Sequence, residues 1–205
     1  MDKYIQQILP EKFYKKWKEG KSDLVERHEE LAILYGDLVG FTVLSRELAP
    51  GHTMQILNDL IDLLDEAAER HQIVRVSTVG HHYMAMSYAE SSHENVKRLL
   101  QFGLEIREIV RRYAKDHSVA LAQASAVCVG GAFEGVVGRK QMKYDVWGEA
   151  VNTAHFMSEY AESGELLISA SVTERVGGDY LIEEKADVKE LAGLKVWNVL
   201  SSVSE

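Results

Sequence analysis

The chain has little that could stiffen it covalently. Of its 205 residues, one is cysteine and two are proline. A lone cysteine, Cys128, closes no internal disulfide, so stability must come from packing, and the chain suits a reducing compartment. Cys128 lies in an apolar run and reads as a small buried hydrophobe. No apolar run approaches the roughly 18 residues of a membrane-crossing helix, and no signal-peptide pattern opens the chain. The expectation is a cytoplasmic chain without a membrane span, with an upstream sensor or membrane segment left open. Basic residues are in deficit: 23 Lys and Arg face 32 Asp and Glu, a formal charge of −9. Such a surface argues against nucleic acid and anionic membranes as partners, though not against a local basic pocket. What is present is apolar material, 46% of the chain, ample for one core.

Punctuation and periodicity divide the chain. Residues 1–27 read as an amphipathic helix and a charged linker. Tyr4, Ile5, Ile8, Leu9, Phe13 and Trp17 recur at helical spacing, Pro10 interrupts or restarts the helix, and Gly20 stops it. The charged stretch 22–30 reads as linker, and 28–205 as the main domain. Residues 31–35 form a strand. Met54, Leu57, Leu60, Ile61, Leu64 and Ala68 give 51–70 a core-facing helical stripe. Segments 73–78 and 83–88 pair around Gly80-His81-His82 as a hairpin. Ser91 and Glu94 make a capping box for a long helix to about 117. Two strands, 119–129 and 132–137, turn at Gly130-Gly131. A helix over 149–161, a strand over 166–169, a capped helix over 171–176 and a strand over 196–200 complete the chain. This is an α+β sandwich, a central sheet with helices on one side.

The stretch 33–42, Ile-Leu-Tyr-Gly-Asp-Leu-Val-Gly-Phe-Thr, carries the first chemical signal. An apolar strand ends in a single carboxylate, Asp37, and a glycine turn follows. A carboxylate at a strand tip can hold a divalent cation against a phosphate chain. The N–H groups around Gly40, Phe41 and Thr42 can cradle a phosphate, because glycine keeps no side chain in the way. Alone the pattern is weak, since strand-Asp-turn also caps ordinary helices. The glycines of 129–138 are equally two-sided: they permit a close triphosphate or simply make tight turns.

Two later segments sharpen the signal. Tyr-Gly-Asp-Leu-Val-Gly-Phe-Thr (35–42), Ser-Thr-Val-Gly-His-His-Tyr-Met (77–84) and Tyr-Asp-Val-Trp-Gly-Glu-Ala-Val-Asn-Thr-Ala-His-Phe-Met (144–157) follow in order. Together they resemble the class III nucleotidyl cyclases, the adenylate and guanylate cyclase catalytic domain, over about residues 28–200. The resemblance implies a ferredoxin-like core with a mostly antiparallel sheet and flanking helices. It implies a homodimer, or a heterodimer with another cyclase domain, whose sites use residues of both chains. It also implies a nucleoside triphosphate and magnesium or manganese. By the same resemblance Asp37 is one metal carboxylate, Asp145 a partner of the base and Asn152 the residue that orients the ribose.

The departures fall on the chemistry. His81 stands where the family has its second metal Asp, Ser77 where adenylate cyclases read the base with Lys, and Phe156 where an Arg neutralises transition-state charge. Imidazole is a poor ligand for magnesium, while manganese or zinc would tolerate it. His81 and His82 are adjacent on a hairpin, so alternation should point them apart and make them a poor chelating pair. Three readings stay open. One is a catalytically impaired dimeric module of cyclic-nucleotide signalling. Another is an active cyclase, leaning to ATP, with Arg139, Lys140 or Lys143 replacing the lost cation. The last is a module for another small ligand or a protein, with Phe156 lining the old cleft or closing it.

Overall fold

A computed structural model describes residues 5, 9–21, 23–89, 91–138, 141–185 and 193–203. Tyr4, Ile8, Arg139 and Lys140 lie outside the described residues. The elements in order are α1 (Glu11–Lys18), β1 (Val25–Val39), α2 (Phe41–Glu47), α3 (Pro50–Arg70), β2 (Ile73–Val79), β3 (His82–Ser87), α4 (Ser92–Asp116), β4 (Ala122–Val137), β5 (Lys143–Gly148), α5 (Glu149–Ser158), β6 (Leu166–Ser169), α6 (Ala170–Val176), β7 (Tyr180–Glu184) and β8 (Val196–Ser202). Both prolines start helices: Pro10 is the N-cap of α1 and Pro50 opens α3, where a missing N–H costs nothing. Gly20, at φ +73°, stops α1. The Ser91 hydroxyl accepts from the Glu94 N–H at 3.2 Å and caps α4.

The sheet runs β2-β3-β1-β4-β6-β8-β7, with β5 beside β4. All its pairs are antiparallel except β4 with β6. The first four strands follow the β2-β3-β1-β4 order of a ferredoxin-like unit. Helices cover both faces, not one. Leu34, Ala85 and Val127 pack under α3, α4 and α6. Leu31, Ile33, Met84 and Met86 pack on the other face under Phe13 and Tyr14 of α1 and Ala150 and Ala154 of α5. Each helix carries an apolar stripe, but a stripe does not say which sheet face receives it.

Other expectations change. Residues 25–30 are strand rather than linker. Gly130 and Gly131 do not turn the chain: β4 runs unbroken through them, and its returning partner is β5. They lie opposite the irregularity in β1 between His28 and Leu31, so the pair marks a β-bulge. Helix α6 starts at Ala170, so Ser171 is inside it and donates to the Val129 carbonyl at 3.1 Å instead of capping. Helix α2 and strand β7 are too short for periodicity to reveal.

One polar node fastens α1 to the sheet. Glu134 of β4 is fully buried. Its oxygens accept from Lys12 of α1, from Tyr88 and, at 2.6 Å, from the Tyr144 hydroxyl, with His28 Nε2 at 2.6 Å. Burial alone would push this carboxyl up, but the Lys12 ammonium and the two phenols outweigh it and hold it below the usual range. The same node pushes the Tyr88 and Tyr144 hydroxyls up, through burial first.

Candidate metal and nucleotide site

Asp37 is half-buried near the end of β1, on the sheet face of Ile33 that α1 and α5 cover. Directly across, in register, stands His82 at the start of β3. The two-residue turn Gly80-His81 joins β2 to β3, with Gly80 at φ +63°. The Leu38 N–H donates to the His81 carbonyl at 3.1 Å and holds the turn against the end of β1. His81 Nε2 lies 3.3 Å and His82 Nδ1 3.6 Å from the same atom, Asp37 Oδ1. The three donor atoms all fall within 4.8 Å of one another. The expectation that the two histidines diverge is therefore corrected. Alternation governs residues within a strand, and His81 belongs to the turn.

Aromatic rings wall this cluster. Phe41 stacks on His81 at 5.9 Å, and Tyr35 lies 5.8 Å from His82 and 4.6 Å from His155 of α5. Burial pushes the His82 imidazole down, with Asp37 opposing. Burial, then the charges of Asp37, Glu159 and Asp145, push the Tyr35 hydroxyl up. Sequence reasoning did not single out Tyr35, His155 or Gln123. Gln123 is buried with neither amide atom bonded, and shares a cavity of about 10 Å³ with Asp37 and His81, room for about one water. A glutamine in an apolar strand was the available signal for it.

The remaining positions are spread around this end of the sheet. Ser77 pairs with Met84 across the hairpin and is half-buried, beyond an irregularity between Arg75 and Ser77. Asp145 of β5 accepts from Lys143 at 2.7 Å and from the Val146 N–H at 3.0 Å. Lys143 is thus already engaged. Asn152 is exposed on α5. Phe156, one helical turn on, packs with Met157, Leu167 and Val196 and meets Tyr160 edge-on at 5.3 Å. It closes over the core as an ordinary apolar residue. Gly40 is the N-cap of α2 at φ +92°, and a Cβ there would sit 2.2 Å from the Ala120 carbonyl oxygen. Its bareness serves first the close approach of the connection between α4 and β4. The first N–H groups of α2, at Phe41 and Thr42, have no helical acceptor by position.

The pattern of the adenylate and guanylate cyclase catalytic domain matches residues 24–197. The chain belongs to that family. An adenylate cyclase of Mycobacterium tuberculosis is 25% identical over 197 residues, 94% of this chain and 44% of that protein. The chain thus spans under half the length of that curated relative. The adenylyl cyclase CyaB of P. aeruginosa superposes with a TM-score of 0.80 at 20% identity, over 87% of this chain and 96% of that one. The guanylate cyclase domain of RhGC from Catenaria anguillulae, solved in complex with GTP, gives 0.80 at 22% identity, over 86% and 99%. These likenesses establish the fold.

Class III cyclases use divalent metals, and this cyclase domain offers Asp37, His81 and His82 as a metal-capable triad. The donor set does not fit a magnesium pair. Magnesium demands near-octahedral oxygen ligation and reaches proteins through carboxylates, whereas this set has one carboxylate and two imidazoles. No helix among the described residues is long and apolar enough to cross a membrane.

Proposed function

We propose that this cyclase domain is a catalytically impaired, dimeric regulatory module of cyclic-nucleotide signalling. The observation that carries the reading is the fate of the three replaced positions. Phe156 is committed to packing, His81 lies against Asp37, and Arg75, the cation two residues from Ser77, is engaged by Asp65 at 3.1 Å and by the Thr78 hydroxyl at 3.4 Å. The one described substitute for the lost Arg, Lys143, is neutralised by Asp145. A preorganised charge in the transition state is worth about 10²–10³ in rate, and losing more than one leaves little turnover. Nucleotide recognition is less depleted. Asp145 and Asn152 remain, with Asn152 exposed on α5, and the turn at Gly40, Phe41 and Thr42 keeps free amides for a phosphate. We infer that a nucleoside triphosphate binds and stays unconverted.

The test is a cyclase assay on the purified chain with ATP, GTP, CTP and UTP. Each is run with magnesium and with manganese, and cyclic products are read by mass spectrometry. The expected product lies at least about 10⁴-fold below an intact cyclase domain assayed alongside. A cyclic nucleotide that appears with the native chain and vanishes in Asp37→Ala would overturn the reading in favour of an active cyclase.

A further inference from the structure

We propose that Asp37, His81 and His82 bind one nitrogen-preferring transition-metal ion, zinc(II) by geometry, instead of a magnesium pair. The inference rests on the family placement of position 81 at the metal site; it does not depend on whether the domain turns over.

Three observations carry it. The first is spacing. Ligands at 2.0–2.1 Å around a tetrahedral zinc lie about 3.4 Å apart. The two histidine nitrogens lie 3.3 and 3.6 Å from Asp37 Oδ1, so both gaps fit edges of such a tetrahedron. The second is dissatisfaction. Asp37 Oδ1 and His82 Nδ1 are buried polar atoms with no hydrogen-bond partner. Buried polar atoms are ordinarily paired, and an orphaned carboxylate oxygen facing an orphaned imidazole nitrogen calls for a cation between them. The third is donor chemistry. Imidazole suits zinc, copper, nickel and iron, while magnesium and manganese favour oxygen.

A simple ion pair explains the cluster less well. Charge-assisted N–H···O⁻ bonds close to about 2.7–2.9 Å, and neither histidine approaches that. The imidazole rings lie 4.4 Å apart, too close for two cations to share without cost. The side chains keep 29%, 29% and 36% of their exposure, so the cluster lies near the surface although Asp37 Oδ1 and His82 Nδ1 are themselves covered. Stacking of Phe41 on His81 and the nearness of Tyr35 to His82 hold the rings in place. Three protein ligands leave a fourth position for water or a phosphate oxygen, which gives an impaired cyclase a way to grip a nucleotide's phosphates.

The experiment is metal binding on the full chain, stripped with chelator. Cobalt(II) is titrated as a visible-absorption probe, zinc(II) displaces it, and bound metal is counted by elemental mass spectrometry. One ion per chain is expected, with an intense tetrahedral cobalt spectrum that zinc abolishes and millimolar magnesium leaves intact. His81→Ala and His82→Ala should each weaken zinc binding about tenfold or more, Asp37→Asn likewise, and surface His52→Ala not at all. Circular dichroism melts check that each variant folds. Binding that His82→Ala leaves unchanged, equal competition by magnesium, or no stoichiometric ion would each overturn the proposal. The two readings fail separately. Cyclic product together with a His82-dependent zinc site removes only the impaired-enzyme reading. No product and no zinc removes only this one.

Discussion

Glu134 has no exposure to solvent, yet side chains from four segments converge on its two oxygens. Lys12 supplies the charge, and Tyr88 and Tyr144 supply neutral donors. Truncation by Glu134→Ala would strand an ammonium and two phenols among Phe13, Met86 and Ala132. Removing one partner of a buried pair costs about 3–5 kcal/mol. Lys12 keeps about a third of its exposure and can turn to water, which favours the lower figure. Urea melts of the variant should therefore show a loss near 3 kcal/mol. The pH dependence has a definite sign. The folded carboxyl is held below its ordinary value of 4.5, so its contribution is full above that pH and is lost as pH falls through the folded value. The native chain should weaken below about pH 4.5, and Glu134→Gln should lack that step. The tyrosines act at the other end. Their folded values are raised above 10.0, so stability present below that pH declines as it rises. A melt series in which Glu134→Gln and the native chain share the same acid limb would discard this account.

At the scale of elements, the junction from β1 to α2 depends on Gly40. Its φ of +92° costs a residue with a Cβ about 1–2 kcal/mol, and that Cβ would lie 2.2 Å from a backbone oxygen that cannot rotate away. Gly40→Ala should destabilise by more than about 2 kcal/mol, which at about 2–4 °C per kcal/mol is a drop of roughly 4–8 °C or more in Tm. The drop should already be present without nucleotide. A variant of native Tm that has lost only triphosphate binding would instead make Gly40 a phosphate residue.

Helix α1 gives a parallel case. Phe13 is fully buried with its ring 5.4 Å from Tyr144, so Phe13→Ala should cost about 3–5 kcal/mol and loosen α1 from β5. Hydrogen exchange of β5 amides would register that loosening.

These elements also mark what could be read from sequence. The long stripes of α3 and α4, the cap at Ser91, the start at Pro10 and the stop at Gly20 are local, and local chemistry decides them. The motifs around Asp37, His81 and Asp145 were equally plain. Less legible were features set by distant partners. Gly130-Gly131 looks like a turn until β1 supplies the bulge opposite. His81 and His82 look divergent until the turn and the Leu38 bond swing both onto Asp37. The second helical layer depends on where α1 and α5 land, which periodicity does not encode.

For the whole molecule, the decisive feature is the overhang of β1, β4 and β5 beyond the helical layer. Helices α4 and α6 cover Val127 and Val129. Farther along β4, the positions on that same face are Gly131, Phe133, Gly135 and Val137, with Val25 opposite Gly135 and Trp147 opposite Phe133. Val25 is 50% exposed, and Phe133 and Val137 45% each. Phe133 and Trp147 stack at 5.6 Å, a flat apolar plate at the end of the sheet. Glu134, between them in sequence, faces the other way into the node with Lys12, so this ribbon is stiff on one side and bare on the other. Contiguous apolar surface of this kind marks an interface. A second copy of the chain is its expected cover, and sedimentation velocity at micromolar concentration should find a dimer. Phe133→Asp places a charge on the plate without touching the buried side. It should raise the dimer dissociation constant about tenfold or more while leaving the thermal melt in place. A native chain that remains monomeric would remove the dimer from the proposed function. A dimer indifferent to Phe133→Asp would move the interface to another face and leave this plate unexplained.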